Sequence, residues 1–240
     1  MEDEVTMMKK SSLPPLRILI IGNGRMGKAV KEAALALGHE VVGCLGREDF
    51  KKPNWPAADV AIDFTAPDSA LEVFAACRSR HLPLVSGTTG WESRRAEVEQ
   101  AVEASGHLMV WASNFSLGVQ LFRKALVQVV DVMRGHEDYE ASIREVHHTG
   151  KRDAPSGTAK TLKADLAAQG MAEVPIGAER LAGVPGTHTV EWRSTIDGIQ
   201  LTHHAMNRSG FAVGAVKAAE WLAQQSGPDH TIFGMDDVWG

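Results

Sequence analysis

Cysteine is scarce in this sequence: only Cys44 and Cys77 occur among 240 residues. They form no C-x-x-C pair and have no metal-ligand spacing, which argues against a disulfide framework and suits a reducing compartment. Both read as buried packing residues. A dominant charge is missing too. The 25 basic and 30 acidic residues are scattered and leave a formal net charge of -5, so there is no footprint for nucleic acid or anionic lipid and the expected partner is a small molecule. No apolar run approaches the roughly 18 residues of a membrane span. The run at 18–21 is too short for a secretory signal. There are no internal repeats or low-complexity tracts.

What is present is enough apolar material, 44% of residues, to bury a sizeable core in one large domain or two smaller ones. Residues 1–15 read as a flexible N-terminal extension without chemistry. From Arg17 the first half alternates short apolar strands with amphipathic helices. Strands are expected at 17–21, 41–45, 60–64, 84–85 and 108–111, with helices opening at Met26 and spanning 69 to about 80 and 92–105. That alternation implies α/β architecture with a parallel sheet covered by helices. After Asn114 the rhythm changes. A long helix with Val119, Phe122, Leu126, Val129 and Met133 on one face leads into a strand at 139–146, where Tyr139, Ala141 and Ile143 alternate with Glu140, Ser142 and Arg144. Strands at 187–194 and 199–202 flank Asp197-Gly198 and form a hairpin. The stretch 170–186 reads as a loop, and a final helix at about 211–225 returns to the first domain. The expected division is 16–115 plus 206–240 for the first domain and 116–205 for the second, an α+β domain.

Gly22-Asn23-Gly24-Arg25-Met26-Gly27 follows a strand and opens a helix. Glycines there allow a sharp turn and close approach of a pyrophosphate, and the helix start offers unpaired N–H groups to it. The first domain therefore reads as Rossmann-like and dinucleotide-binding. At the end of the second strand, where an acid usually accepts from the ribose 2'-hydroxyl, stand Gly46 and Arg47. An absent carboxylate and a present guanidinium favour a 2'-phosphate, so NADPH is expected to serve at least as well as NADH. Glu48 or Asp49 within reach of the ribose would leave the preference open. The loops Gly87-Thr88-Thr89-Gly90 and Ala112-Ser113-Asn114-Phe115 leave the carboxyl ends of parallel strands, where small and polar residues suit a nicotinamide or ribose. Each alone also fits an ordinary turn.

The segment from Glu145 to Lys160 concentrates acid–base groups and cations between a strand and a helix. Ser156 is a plausible N-cap, so Gly157 and Thr158 present N–H groups at a helix start, a ready carboxylate site. Lys151 adds a compact positive charge, and His147 and His148 exchange protons near neutral pH. The strand ending at His147 and the helix beginning at Ser156 are expected to come together. No metal is expected, because adjacent histidines on a strand face opposite ways and no third ligand has suitable spacing.

The segment Glu145-Val146-His147-His148-Thr149-Gly150-Lys151-Arg152-Asp153-Ala154-Pro155-Ser156-Gly157-Thr158-Ala159 resembles the signature of bacterial dihydrodipicolinate reductases. The turn at 24–27, Asp63-Phe64-Thr65, the loop at 87–90, residues 114–119, His188-Thr189-Val190 and the region 208–218 are similar to that family in order and position. The resemblance implies NADPH- or NADH-dependent reduction of 4-hydroxy-tetrahydrodipicolinate to tetrahydrodipicolinate in lysine and diaminopimelate biosynthesis. It also implies a cytoplasmic homotetramer assembled through substrate-domain sheets. His147 would be the proton donor, Lys151 a second catalytic group that also holds the substrate, and His148, Gly157 and Thr158 its carboxylate contacts.

The chain departs from the family in being shorter at 45–59 and around 170–186. It also has a glycine turn one residue shorter than the commoner spacing, and it lacks the acid at Gly46. The glycine fingerprint alone would also fit a dehydrogenase of another small acid, or a dinucleotide sensor without catalysis.

Overall fold

A computed structural model describes residues 12–226 and 232–240. Most of the expected extension, residues 1–11, lies outside the described residues; residues 12–15 carry no helix or strand. The described chain divides into two compact units, one ending at Ser116 and resuming at Ser209, the other running from Leu117 to Arg208.

The first unit is built on β1 (Arg17–Ile21), α1 (Arg25–Ala36), β2 (Glu40–Leu45), β3 (Val60–Asp63), α2 (Pro67–Ser79), β4 (Leu84–Ser86), α3 (Arg95–Ser105) and β5 (Met109–Trp111). A single 3-10 turn at Glu92–Arg94 precedes α3. All strands pair in parallel, in the order β10-β5-β4-β3-β1-β2, where β10 is Ile232–Phe233. Ile18, Leu19, Ile20 and Ile21 are each fully buried. A continuous apolar strand is what a parallel sheet covered on both faces requires, and each such side chain contributes roughly 1.5–3 kcal/mol relative to exposure. Ile18 and Ile20 pack with Val30, Ala33 and the later helix residues Ala215 and Ala219. Leu19 and Ile21 point the other way, onto Val73, Phe74 and Trp91. Strand order reverses beside β1, whose neighbours are β2 and β3, and the carboxyl ends at that reversal are where such sheets bind ligands.

The second unit contains α4 (Leu117–Met133), β6 (Glu140–His147), α5 (Gly157–Ala168), β7 (Ile176–Arg180), β8 (Gly186–Arg193) and β9 (Gly198–Ala205). Its sheet order is β7-β6-β8-β9, with β6 and β7 parallel and the other pairs antiparallel. Phe122, Leu126 and Val130 of α4 and Leu162 and Leu166 of α5 pack on one sheet face, against Ile143, Val190 and Trp192. The opposite face is polar, with Arg144 on Glu179 at 2.9 Å and Thr189 on Thr202 at 3.0 Å. The chain returns to the first unit through α6 (Ser209–Leu222), β10 and a last short helix, α7 (Met235–Val238).

Several expectations change. The stretch 170–186 contains β7, in register with β6 from Ile143↔Ile176 to His147↔Arg180. Its five residues carry Gly177 and no clear alternation, so pairing with β6 rather than local propensity makes it a strand. On α4, Val130 is buried and Val129 only half so, a phase one residue from the expected stripe. The hairpin loop is 194–197, with Gly198 already paired to Arg193. The return helix starts earlier and ends at Leu222, closed by Gln224 N–H on the Trp221 carbonyl at 3.1 Å. Cys77 is buried but Cys44 is exposed, on the edge strand β2.

Candidate active site

The glycine turn has the shape a dinucleotide needs. Gly22 has φ +104, and a Cβ there would lie 2.3 Å from the Phe64 carbonyl oxygen. One on Gly27 would lie 1.8 Å from the Gly22 carbonyl oxygen, whereas one on Gly24 would meet nothing within 4 Å. Two glycines thus serve the fold, and the third leaves open space where α1 begins. No side chain caps that helix and its first turn holds no acid, so the positive end of α1 is available to an anion. Asn23 and Arg25 are exposed there, while Met26 is half-buried. These residues fit a dinucleotide pyrophosphate.

At the end of β2 the Asp49 carboxylate accepts from Gly46 N–H at 3.1 Å and pairs with Lys52 at 2.7 Å. Lys52 holds the Asp49 pKa below the usual carboxylate range. Arg47 is exposed. The loops after β4 and β5 lie at the same carboxyl edge, but two expected contact side chains turn inward. Thr88 is 3% exposed: its hydroxyl donates to Asp63 at 2.9 Å, and its carbonyl accepts from the indoles of Trp91 and Trp111. Phe115 is 1% exposed and meets the Phe64 ring edge-on. Either residue can offer a ligand only its backbone. Gly87 is pressed by the Phe64 ring, 2.1 Å from where a Cβ would be. Thr89, Ala112, Ser113 and Asn114 are half-buried, and the Asn114 amide oxygen accepts from Ser116 N–H at 2.8 Å.

Asp63, named in the sequence only within a family-like tripeptide, proves to organise this edge. Fully buried, it receives Ser86 Oγ at 2.7 Å, Thr88 Oγ1 and Thr65 N–H, and so ties together the loops after β3 and β4. Burial raises its pKa against those hydrogen bonds.

In the second unit β6 and the start of α5 do come together. Ser156 caps α5 by accepting from Ala159 N–H at 3.1 Å, while its own N–H donates to Glu145 Oε1 at 3.0 Å. The cap engages Ala159 and not Gly157; Thr158 is buried. His147 is 7% exposed, with Nδ1 lying 2.6 Å from Glu145 Oε2. That contact is close but poorly aligned for a hydrogen bond. Arg180 donates to Glu145 Oε1 at 3.1 Å and to the carbonyls of Lys151 and Asp153. The Lys151 ammonium stands 2.8 Å from Asp153. From β8, the His188 ring meets the His147 ring edge-on at 5.0 Å, and its Nε2 lies 3.2 Å from Ser156 Oγ.

Burial lowers the His147 pKa, aided by Lys151 and Arg180 and opposed by Glu145. Burial also pushes His188 down to about 3. Glu145 behaves otherwise: burial raises it, but the hydrogen bonds of Ser156 and Arg180 outweigh that and leave it low. The cluster therefore holds a carboxylate, a neutral imidazole at His188, and a second imidazole at His147 whose proton is weakly held.

His148 stands apart from this cluster. It lines a cavity of about 320 Å³ with Val184, Pro185, Met206, Asn207 and Arg208. A set of possible metal donors that spacing had not suggested is Glu145, His147 and His188, with ligand atoms within 4.8 Å of one another. Arg180 already neutralises that carboxylate and Lys151 adds positive charge, so an entering cation would meet like charge. The arrangement suits proton handling better.

Comparison with known proteins shows the family and the fold. The family models "Dihydrodipicolinate reductase, N-terminus" and "Dihydrodipicolinate reductase, C-terminus" match residues 16–115 and 118–239. The chain is 40% identical over 237 residues to a 4-hydroxy-tetrahydrodipicolinate reductase of Christiangramia forsetii, covering 93% of this chain and 97% of that one. It is also 40% identical to one from Stenotrophomonas maltophilia, over 87% and 92% of the two chains. Among solved structures, a dipicolinate-bound dihydrodipicolinate reductase from Paenisporosarcina superposes with a TM-score of 0.69 at 21% identity, covering 93% and 99%. An amine dehydrogenase from Mycobacterium smegmatis, at 10% identity and TM-score 0.61 over 88% and 93% of the two chains, shares the fold. The two family models run almost end to end along the described chain, and on that ground it belongs to the dihydrodipicolinate reductase family, whose members are oxidoreductases.

Proposed function

We propose that this chain reduces 4-hydroxy-tetrahydrodipicolinate to tetrahydrodipicolinate with NADPH or NADH, as a step of lysine and diaminopimelate biosynthesis in the cytoplasm. The observation that carries the reading is the buried Glu145–His147 pair beside a capped helix start and the Lys151 ammonium. The nucleotide, when bound, supplies a hydride. Gly22, Asn23, Gly24, Arg25, Met26 and Gly27 would hold its pyrophosphate, and the backbone of Gly87, Thr88 and Thr89 and of 112–115 would lie along its nicotinamide half.

The remaining chemistry belongs to the second unit. A conjugated ring that accepts a hydride must also take up a proton where electron density accumulates, and in this reading His147 delivers it. Lys151 exchanges its pairing with Asp153 for a substrate carboxylate, and the N–H groups of Gly157 and Thr158 hold that carboxylate at the positive end of α5. His148, with Arg208 beside it in the same cavity, would hold a second carboxylate. No metal takes part in this scheme.

Arg47 is exposed, whereas Asp49 is engaged by Gly46 and Lys52. That contrast supports use of NADPH at least as well as NADH. The polar face of the second sheet, with its Arg144–Glu179 and Thr189–Thr202 pairs, supports assembly into a homotetramer through that face. Oxidation of NADPH and NADH, measured with freshly made synthase product as substrate, tests the reading. Turnover with this substrate is expected. Nucleotide binding without turnover would overturn it, and a strong NADH preference would overturn the role given to Arg47.

A further inference from the structure

Glu145 is fully buried; one of its oxygens is hydrogen-bonded, and the other lies against the His147 ring without an aligned hydrogen bond. Oε1 accepts from Ser156 N–H at 3.0 Å and from Arg180 at 3.1 Å, while Oε2 lies 2.6 Å from His147 Nδ1. These partners arrive from the start of α5, from β7 and from β6 itself. Gly186, the first residue of β8, shows what surrounds the other ring nitrogen. A Cβ at Gly186 would stand 3.0 Å from His147 Nε2 and 3.2 Å from Cδ2. Only a residue without a side chain leaves that flank of the imidazole uncrowded.

We propose that Glu145 is the positioning residue of the proton donor: it holds a proton on Nδ1 of His147 and so commits Nε2, on the flank that Gly186 leaves clear, to exchange with the substrate. Arg180 grips the far oxygen of the same carboxylate together with the carbonyls of Lys151 and Asp153, so one guanidinium keeps His147 and the Lys151 loop in register. The inference rests on His147 being the proton donor.

The charged and titratable groups facing His147 are Glu145 on its own strand, Lys151 on the following loop, Arg180 on β7 and His188 on β8. Burial and the two cations weaken its hold on a proton, and among these groups Glu145 alone opposes them. Loss of that charge therefore lowers the imidazolium pKa further. An acid required in its protonated form gives a rate that falls as pH rises through its pKa. In Glu145→Gln the descending limb of kcat/KM should accordingly move to lower pH, by about one pH unit, the low end for an opposite charge at contact distance. Near neutral pH that is about a tenfold loss, carried by kcat more than by KM.

Nitrogen NMR of histidine-labelled protein reads the tautomer directly, with His147 assigned by its disappearance in His147→Gln. The neutral ring in the wild-type protein is expected to carry its hydrogen on Nδ1, and in Glu145→Gln on Nε2, the form free imidazole side chains prefer. A wild-type ring protonated on Nε2 overturns the proposal, even where Glu145→Gln fails to fold. So does an unmoved pH limb in a folded Glu145→Gln, because a residue that only braces the fold would change stability without touching that limb. Near-normal turnover of His147→Gln is a different failure: it removes the proposed function, whatever Glu145 does.

Discussion

His147 is an imidazole that holds its proton weakly. Burial, Lys151 and Arg180 keep its pKa below the ordinary value of 6.5. The free enzyme should then show a kcat/KM that declines with rising pH from a midpoint below that value, since only the protonated ring donates. A flat profile between pH 5 and 8 would remove His147 from the proton path. At a fixed pH near neutrality, His147→Gln and Lys151→Ala should each lower kcat by roughly 10²-fold, the range of positioned acid–base groups. Steady-state rates close to wild type in both variants would reject their assignment. The residues of this cluster were legible in unequal degree. Helix-start chemistry at Ser156 could be read from its neighbours, and period-two alternation on β6 already puts Glu145 and His147 on one face. His188 and Arg180 carry no such local mark. They reach the cluster through strand pairing, Glu145↔His188 and His147↔Arg180, which is set by register between distant segments.

Elements show the same division between local and distant causes. The strand, glycine turn and helix at 17–36 were readable because each signal lies within a few residues of the next. β7 and β10 were not, being short edge strands that exist because β6 and β5 offer them partners. Within the glycine turn the structure separates two roles that the motif merges. At Gly27 an added methyl would overlap the Gly22 carbonyl at 1.8 Å, and relieving that requires backbone movement. Gly27→Ala should therefore cost about 1–3 kcal/mol of stability, the usual range for overpacking. At Gly24 the added methyl enters open space and φ is -74, a value alanine adopts readily. Gly24→Ala should leave stability within about 0.5 kcal/mol of wild type while raising KM for the nucleotide, because the methyl stands where the pyrophosphate approaches. Chemical denaturation paired with nucleotide titration distinguishes the two. Equal losses of stability in both variants would mean that Gly24 serves the turn and not the ligand.

Across the molecule as a whole, buried polar ties hold distant segments together, and separate buried groups set the response to acid. His39 is buried between the Leu16 N–H, which donates to its Nδ1 at 3.1 Å, and Glu220 of α6 at 2.9 Å, with Lys217 completing the pair at 2.8 Å. Composition and motif reveal nothing of this tie, since its members lie 181 positions apart. His107, between α3 and β5, is a simpler case: 6% exposed, its Nε2 without a hydrogen-bond partner among the described residues, and its pKa lowered to about 4 by burial and by Arg78 and His81. An unfolded chain binds a proton at this histidine near the ordinary value of 6.5, whereas the folded chain resists until about 4. Between those values the unfolded state binds more protons, so stability falls as pH falls, by about 3 kcal/mol for this group across the window. His188 acts in the same direction down to about 3, while the raised pKa of buried Asp63 acts in the opposite one. His107→Leu removes the group without leaving a buried polar atom, and the variant should lose less stability than wild type between pH 7 and pH 4. Urea denaturation of both proteins at a series of pH values measures the difference. If the two stability curves stay parallel throughout that range, His107 takes up its proton at the same pH in the folded and unfolded chains and its burial does not govern its charge.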